Sequence, residues 1–317
     1  MSYAVPARFG ILMAGRDETM YQLLALLTGV TLAVMVSING NLTAAYSVFV
    51  AAAIVHLVGS LFALVLCAAQ REKRPLWGHR PRWIYLGGAI GVFTTVFNNL
   101  AYGKISMTSI VALGLLGQTV AALAIDHFGL LGMEKRPFQK SSLIGLAFSL
   151  AGIAMMLDHT VAAAAVAVAV SLGAGVTVVL SRTVNARLAE QTGPLRGSLI
   201  NHLVGLPITV ALALGSICLA GGAEVGSGAG RPWIYLGGIL GVAVVLLSNL
   251  TVPRVPAFRL TLLLFIGQIF TGVLLDLLLG NRFSDATFRG GLVIAAGVIV
   301  NLVVERWAAR KGEKGED

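Results

Sequence analysis

The sequence predicts an all-α integral membrane protein whose ten transmembrane helices form two inverted five-helix repeats. Three observations carry that expectation. The 317 residues are 57% hydrophobic and only 12% charged, against about 25% charged in an ordinary soluble domain. The phrase WIYLGG occurs twice, at Trp83–Gly88 and Trp233–Gly238, and each copy opens a matched segment. At an offset of 150, residues 83–126 and 233–276 share 14 of 44 positions without a gap. Finally, when the apolar runs are threaded through a bilayer, the basic residues collect on one side.

The apolar runs set the elements, because a helix needs about 20 apolar residues to cross roughly 30 Å of hydrocarbon. Thr43–Ala69 carries no charged residue and a single histidine, His56, and Val161–Leu180 holds nothing more polar than Ser171 and Thr177. Ten spans are expected at 20–38, 47–69, 83–101, 107–128, 142–157, 161–181, 195–219, 232–250, 258–279 and 290–306. Residues 1–19 read as an N-terminal cytoplasmic segment without a signal-peptide cleavage pattern, and Met20 is an alternative start. The first repeat is expected over 20–158, the second over 161–306, and a solvated tail of mixed charge over 307–317. The connections are short, which leaves no room for a soluble catalytic domain.

With the N-terminus inside, the cytoplasmic side collects 19 of the 23 Lys and Arg residues, and both termini are expected in the cytoplasm. Five spans per repeat is an odd number, so the second half must enter the membrane upside down. The charges agree. Loop 70–82 carries five basic residues where its mate 220–231 carries only Arg231, and loop 39–46 carries none where its mate 182–196 carries three. The net charge of +9 therefore reads as orientation and attraction to anionic lipid, not as a nucleic-acid groove. Cys67 and Cys218 fall in spans without metal-ligand spacing and read as packing residues.

Polar residues inside the spans are the candidates for chemistry. In spans 4 and 9, Gln118 and Gln268 lie near the middle, so both stay near the midplane when one half is inverted. They could present donors and acceptors to a solute from two sides, or join helices by interhelical hydrogen bonds. Asp126 and Asp276 lie eight residues further on, roughly 12 Å along each helix. Inversion sends them to opposite faces, so they read as paired gates or proton-coupling groups, or else as helix-end anchors, and not as one dyad. His56 and His202, in the phrases HLVGS and HLVGL of spans 2 and 7, could titrate during transport or pack against neighbouring helices. Asn99 and Asn249 close spans 3 and 8 and are candidate ligand contacts or caps; Asn39, Asn41 and Asn185 close spans 1 and 6. Gly87, Gly88 and Gly91, with mates Gly237, Gly238 and Gly241, suit close helix approach, and Trp83 and Trp233 suit the interfacial aromatic belt. No residue set reads as catalytic, metal-binding or cofactor-binding.

These residues carry a resemblance. Ten short spans in two halves resemble the drug/metabolite transporter superfamily. Within it, WIYLGG-x2-G, Asn99-Leu100 and Gly117-Gln118-x7-Asp126-x2-Gly129 are similar to the bacterial YdcZ-type inner-membrane exporters, here as a fused pair. The resemblance spans nearly all of residues 20–306, although Phe128-Gly129 becomes Leu278-Leu279 in the second half. It implies a multi-pass protein of the bacterial inner membrane, with a cavity among spans 3, 4, 8 and 9, that exports a small molecule. Related small multidrug transporters carry an essential glutamate in the first helix; residues 20–38 contain no acid, so that coupling chemistry does not transfer. The expectation is a secondary transporter working by alternating access, with a passive channel or a non-transporting membrane protein as alternatives. Its expected partners are a small-molecule substrate, membrane lipid and, in one arrangement, a second copy of the chain; nucleic acid is not among them.

Overall fold

A computed structural model describes residues 7–70, 75–78, 80–101, 104–105, 107–136, 142–158, 161, 164–222, 227–278 and 284–313. Ten α-helices make up the described fold: α1 (Ala7–Ala45), α2 (Val48–Ala69), α3 (Gly87–Ala101), α4 (Met107–Phe128), α5 (Ser142–Met156), α6 (Ala165–Thr192), α7 (Pro194–Ala220), α8 (Leu236–Thr251), α9 (Ala257–Leu278) and α10 (Asp285–Glu313). Eight segments are long and apolar enough to cross a membrane, and Leu143–Met156 is a shorter apolar helix. At 15 residues each, α3 and α5 reach only about 22 Å. Each WIYLGG phrase begins as a single 3₁₀ turn, Arg82–Tyr85 and Pro232–Tyr235, before its α-helix.

One expected connection is absent. Residues 182–196 do not form a loop: α6 continues to Thr192, and Gly193, at φ 94°, turns the chain directly into Pro194 at the start of α7. Polar residues after Leu180 resemble an interface in the sequence, but here Arg182, Thr183 and Asn185 are buried against other helices. The helix therefore has no reason to stop until the Gly-Pro step. The outermost helices also overrun their spans: α1 begins well before residue 20, and α10 passes 306.

Helix pairing is reciprocal between the two halves. α1 packs on α9 and α8, as α6 packs on α4 and α3. The helices α2 and α7 pack on each other, and so do α5 and α10. In both self-pairs the chains run antiparallel. Gly59 lies against His202 and Gly205 against His56, while Gly145 lies against Asn301 and Gly152 against Gly290. α4 and α9 are antiparallel as well: Asp126 near the end of α4 bonds the first residues of α9, and Thr108 at its start bonds Ser284 just before α10, 2.9 Å away. The largest buried apolar cluster joins these two helices, with Leu115, Ile125, Leu260 and Leu263 inside it.

Two close crossings fix the centre. A Cβ on Gly175 in α6 would overlap the Gly114 carbonyl oxygen and the Gln118 nitrogen, and one on Gly117 in α4 would overlap the Leu172 carbonyl oxygen. The mates repeat this. A Cβ on Gly29 would overlap the Leu264 carbonyl oxygen, and one on Gly267 the Leu26 carbonyl oxygen. Lipid tails are as apolar as leucine, so burial alone does not bring spans together; backbones that approach closely gain dispersion contacts instead. Gly175→Ala and Gly117→Ala should each destabilise the protein by about 1–3 kcal/mol through overpacking. Gly215→Ala, whose methyl meets nothing within 4 Å, should leave it unchanged. Thermal melting in detergent checks this, and equal melting of all three variants would contradict the crossings.

Candidate functional site

His56 and His202 meet where α2 crosses α7, with ring centroids 5.7 Å apart. Each ring lies over the other helix's glycine, three residues beyond its own partner histidine: His202 on Gly59, His56 on Gly205. The Nδ1 atoms stand 2.9 Å from the Ala52 carbonyl and 2.8 Å from the Ser198 carbonyl, one turn back in each helix. A carbonyl oxygen only accepts, so in the neutral rings Nδ1 donates and the Nε2 lone pair is left toward the partner helix. The repeated phrase HLVG thus encodes a reciprocal ring-on-glycine seam. His202 is buried and His56 half-buried.

Gln118 and Gln268 follow the glycines of the two close crossings by one residue. Both are half-buried, and neither amide has a hydrogen-bond partner among the described residues. An unpaired amide within a span is costly unless water or a ligand reaches it. Asn249 differs: it is buried, and its Nδ2 donates to the Pro194 carbonyl at 2.9 Å, tying α8 to the start of α7. The side chains of Asn99 and Asp276 lie outside the described residues.

Asp126 is held. Its Oδ1 accepts from the Ala257 amide and its Oδ2 from the Phe258 amide, each at 2.8 Å. It therefore caps the N-terminus of α9 from another helix, supplying a negative charge where the helix dipole favours one. Next to it lies a residue that reading the sequence as loop and span overlooked. Arg182 is 7% exposed; its Nη2 donates to Thr261 Oγ1 and, at 3.4 Å, to the Ala257 carbonyl. Its Nη1 is buried without a partner. Counted as a loop charge, Arg182 looked solvated. The available signal was the absence of any Gly-Pro break before 193–194, which continues the helix through it. α1 closes the outer edge of this region: Glu18 pairs with Arg259 at 2.8 Å, and Arg254 stacks over the Tyr21 ring at 5.1 Å.

Polar ties also join α3 to α6. Thr94 and Thr177 share a hydrogen bond of 2.9 Å, and Ser181 Oγ donates to the Gly87 carbonyl at 2.7 Å. Asn185 Nδ2 donates to Asn201 Oδ1 at 2.7 Å, joining α6 to α7. Among the described residues, no three His, Cys, Asp or Glu side chains group as metal ligands.

A many-helix apolar bundle whose halves pack reciprocally on one another defines a multi-span membrane protein. The chain belongs to the family described as "Putative inner membrane exporter, YdcZ", whose profile matches it twice, over residues 20–155 and 166–301. Membership supports a multi-span protein of membrane transport. No curated protein matches the chain. A solved structure titled only "Crystal structure of protein" superposes with a TM-score of 0.66 over 92% of this chain and 99% of that one, at 18% identity. That likeness concerns the fold alone.

Replacing Asn249 with leucine removes the buried hydrogen bond that ties α8 to α7, with an expected loss of about 0.5–1.5 kcal/mol. Gln118→Leu breaks no bond and should melt no lower than the wild type. Detergent melting of the two variants side by side checks the contrast, which a lower-melting Gln118→Leu would reverse.

Proposed function

We propose that this protein is a secondary transporter that exports a small polar or amphipathic solute by alternating access. Its two five-helix halves are related by inversion, with both termini in the cytoplasm. The reading is carried by one observation. The equivalent amides Gln118 and Gln268 are half-buried mid-span and make no hydrogen bond among the described residues, while Asn249 and Asp126 are tied into helix contacts. Each amide directly follows a glycine that lets two helices touch backbone to backbone. A solute held by both would feel any change in either crossing.

Inversion is supported by the antiparallel course of the equivalent helices α2 and α7, α4 and α9, and α5 and α10. Such halves can exchange conformations around a site near the midplane, which opens to one face at a time. The orientation follows from the basic residues, 19 of 23 on one side. In this scheme His56 and His202 lie in the seam between halves, and a movement of α2 against α7 uncovers their Nε2 atoms. Asn99 and Asn249 sit toward opposite ends of the cavity. Asp126 and Asp276 serve as gates at the two faces, Asp126 by holding α4 to α9.

Proteoliposomes carrying the purified protein, assayed across a panel of metabolites, should show saturable uptake and counterflow. Gln118→Ala and Gln268→Ala should each reduce that uptake at least tenfold while leaving the melting temperature near wild type. Non-saturating flux without counterflow would indicate a channel, and full activity in both variants would remove the amides from the site.

A further inference from the structure

We propose that the N-terminus of α9 and Arg182 together form a carboxylate-binding site that Asp126 fills in this conformation. The carboxylate of a small organic monoanion exchanges with Asp126 there. This rests on the transport reading for its consequence and adds the chemical class of the solute.

The site has more positive groups than it has anions to match them. At the start of α9, the Ala257 and Phe258 amides converge on the two Asp126 oxygens, 2.8 Å each. A helix N-terminus carries a partial positive charge and binds oxyanions through such amides. Arg182 adds a full positive charge beside them, yet its described bonds go to neutral oxygens, Thr261 Oγ1 and the Ala257 carbonyl. The Asp126 charge acts on Arg182 through space, but no described carboxylate forms an ion pair with it. Its Nη1 remains buried and unbonded. A cation this deep without a bonded counter-ion is expensive in a protein core and more so in a membrane.

Chemistry selects the ligand. A guanidinium is a planar fork that matches the two oxygens of a carboxylate. One guanidinium and one helix N-terminus, about +1.5 together, exceed the single charge of Asp126 by about half a unit, which suits a monoanion. A dianion such as phosphate would set excess negative charge against Asp126. The exchange also has a mechanical result, because Asp126 is on α4 and the amides are on α9. A carboxylate that takes its place removes the Asp126 tie between α4 and α9.

The Arg182 position is not repeated as a cation in the other half. The family match sets α1–α2 against α6–α7 at an offset of 146, which also aligns His56 with His202. The position equivalent to Arg182 is Val36, so the opposite end of the bundle lacks the cation. An anionic solute would therefore be bound from one side preferentially.

The experiment is chemical rescue, read by melting of detergent-purified protein in sodium acetate against sodium chloride at matched ionic strength. Asp126→Ala should melt below wild type in chloride and regain at least half the loss in acetate, with a saturating dose response. Asp126→Ala combined with Arg182→Met should regain nothing. If Asp126→Ala does not fold, Asp126→Asn takes its place and should be stabilised by acetate more than wild type is. Rescue by chloride as well as acetate, rescue that survives Arg182→Met, or no rescue at all would overturn the proposal. This readout needs no transport, so its failure is distinct from failure of the exporter reading, which the proteoliposome panel decides.

Discussion

Backbone contact at glycine is the constraint on which the rest of this structure depends. Within a bilayer the hydrophobic effect does not draw helices to one another, so close approach and a few polar ties must do it. The two crossings at Gly29/Gly267 and Gly117/Gly175 bring carbonyl oxygens of one helix onto the Cα atoms of another. They lock α1 to α9 and α4 to α6, and they set where Gln118 and Gln268 stand. The histidine seam between α2 and α7 uses the same device with an aromatic ring in place of a carbonyl. Each contact joins a helix of one half to a helix of the other. The halves therefore cannot be taken apart as independent domains without exposing all of these surfaces.

Polar groups in the bundle divide by what they bond. Asn249, Thr94, Thr177, Ser181 and Asn185 are spent on helix contacts. Asp126 is spent on a helix terminus. Gln118, Gln268 and one nitrogen of Arg182 are not, and neither are the buried hydroxyls of Ser60, Thr119 and Ser171. In a low-dielectric interior an unbonded polar group carries a penalty, and membrane proteins tolerate it where the group meets something that comes and goes.

Much of the fold was legible from periodicity and repetition. The repeated phrase revealed two copies of one unit, which the two profile matches also show, because packing glycines and span starts recur wherever the same interface recurs. Span ends were less legible. Residues 182–196 looked like a loop because Arg182, Arg187 and Arg196 follow an apolar run, yet a helix can carry charge past the point where hydropathy falls when protein, not lipid, surrounds it. Arg182 accordingly passed as a solvated charge. Inversion argued against a dyad of Asp126 and Asp276, but which groups Asp126 meets was not legible: its partners are the α9 amides, far away in sequence.

The sequence by itself determined that the chain is a membrane-embedded helical duplication, because length, apolarity and repeated phrases follow from local requirements of bilayer thickness and helix packing. It could also name the polar residues within the spans, since each departs from a hydrocarbon background. Only the tertiary structure decided which of them are committed and which are free. That depends on which helix end or carbonyl lies opposite each side chain, and no spacing along one strand of sequence encodes it. Asp126 and Gln118 lie on one helix eight residues apart; the packing of α9 against α4 is what gives the first two bonds and leaves the second none.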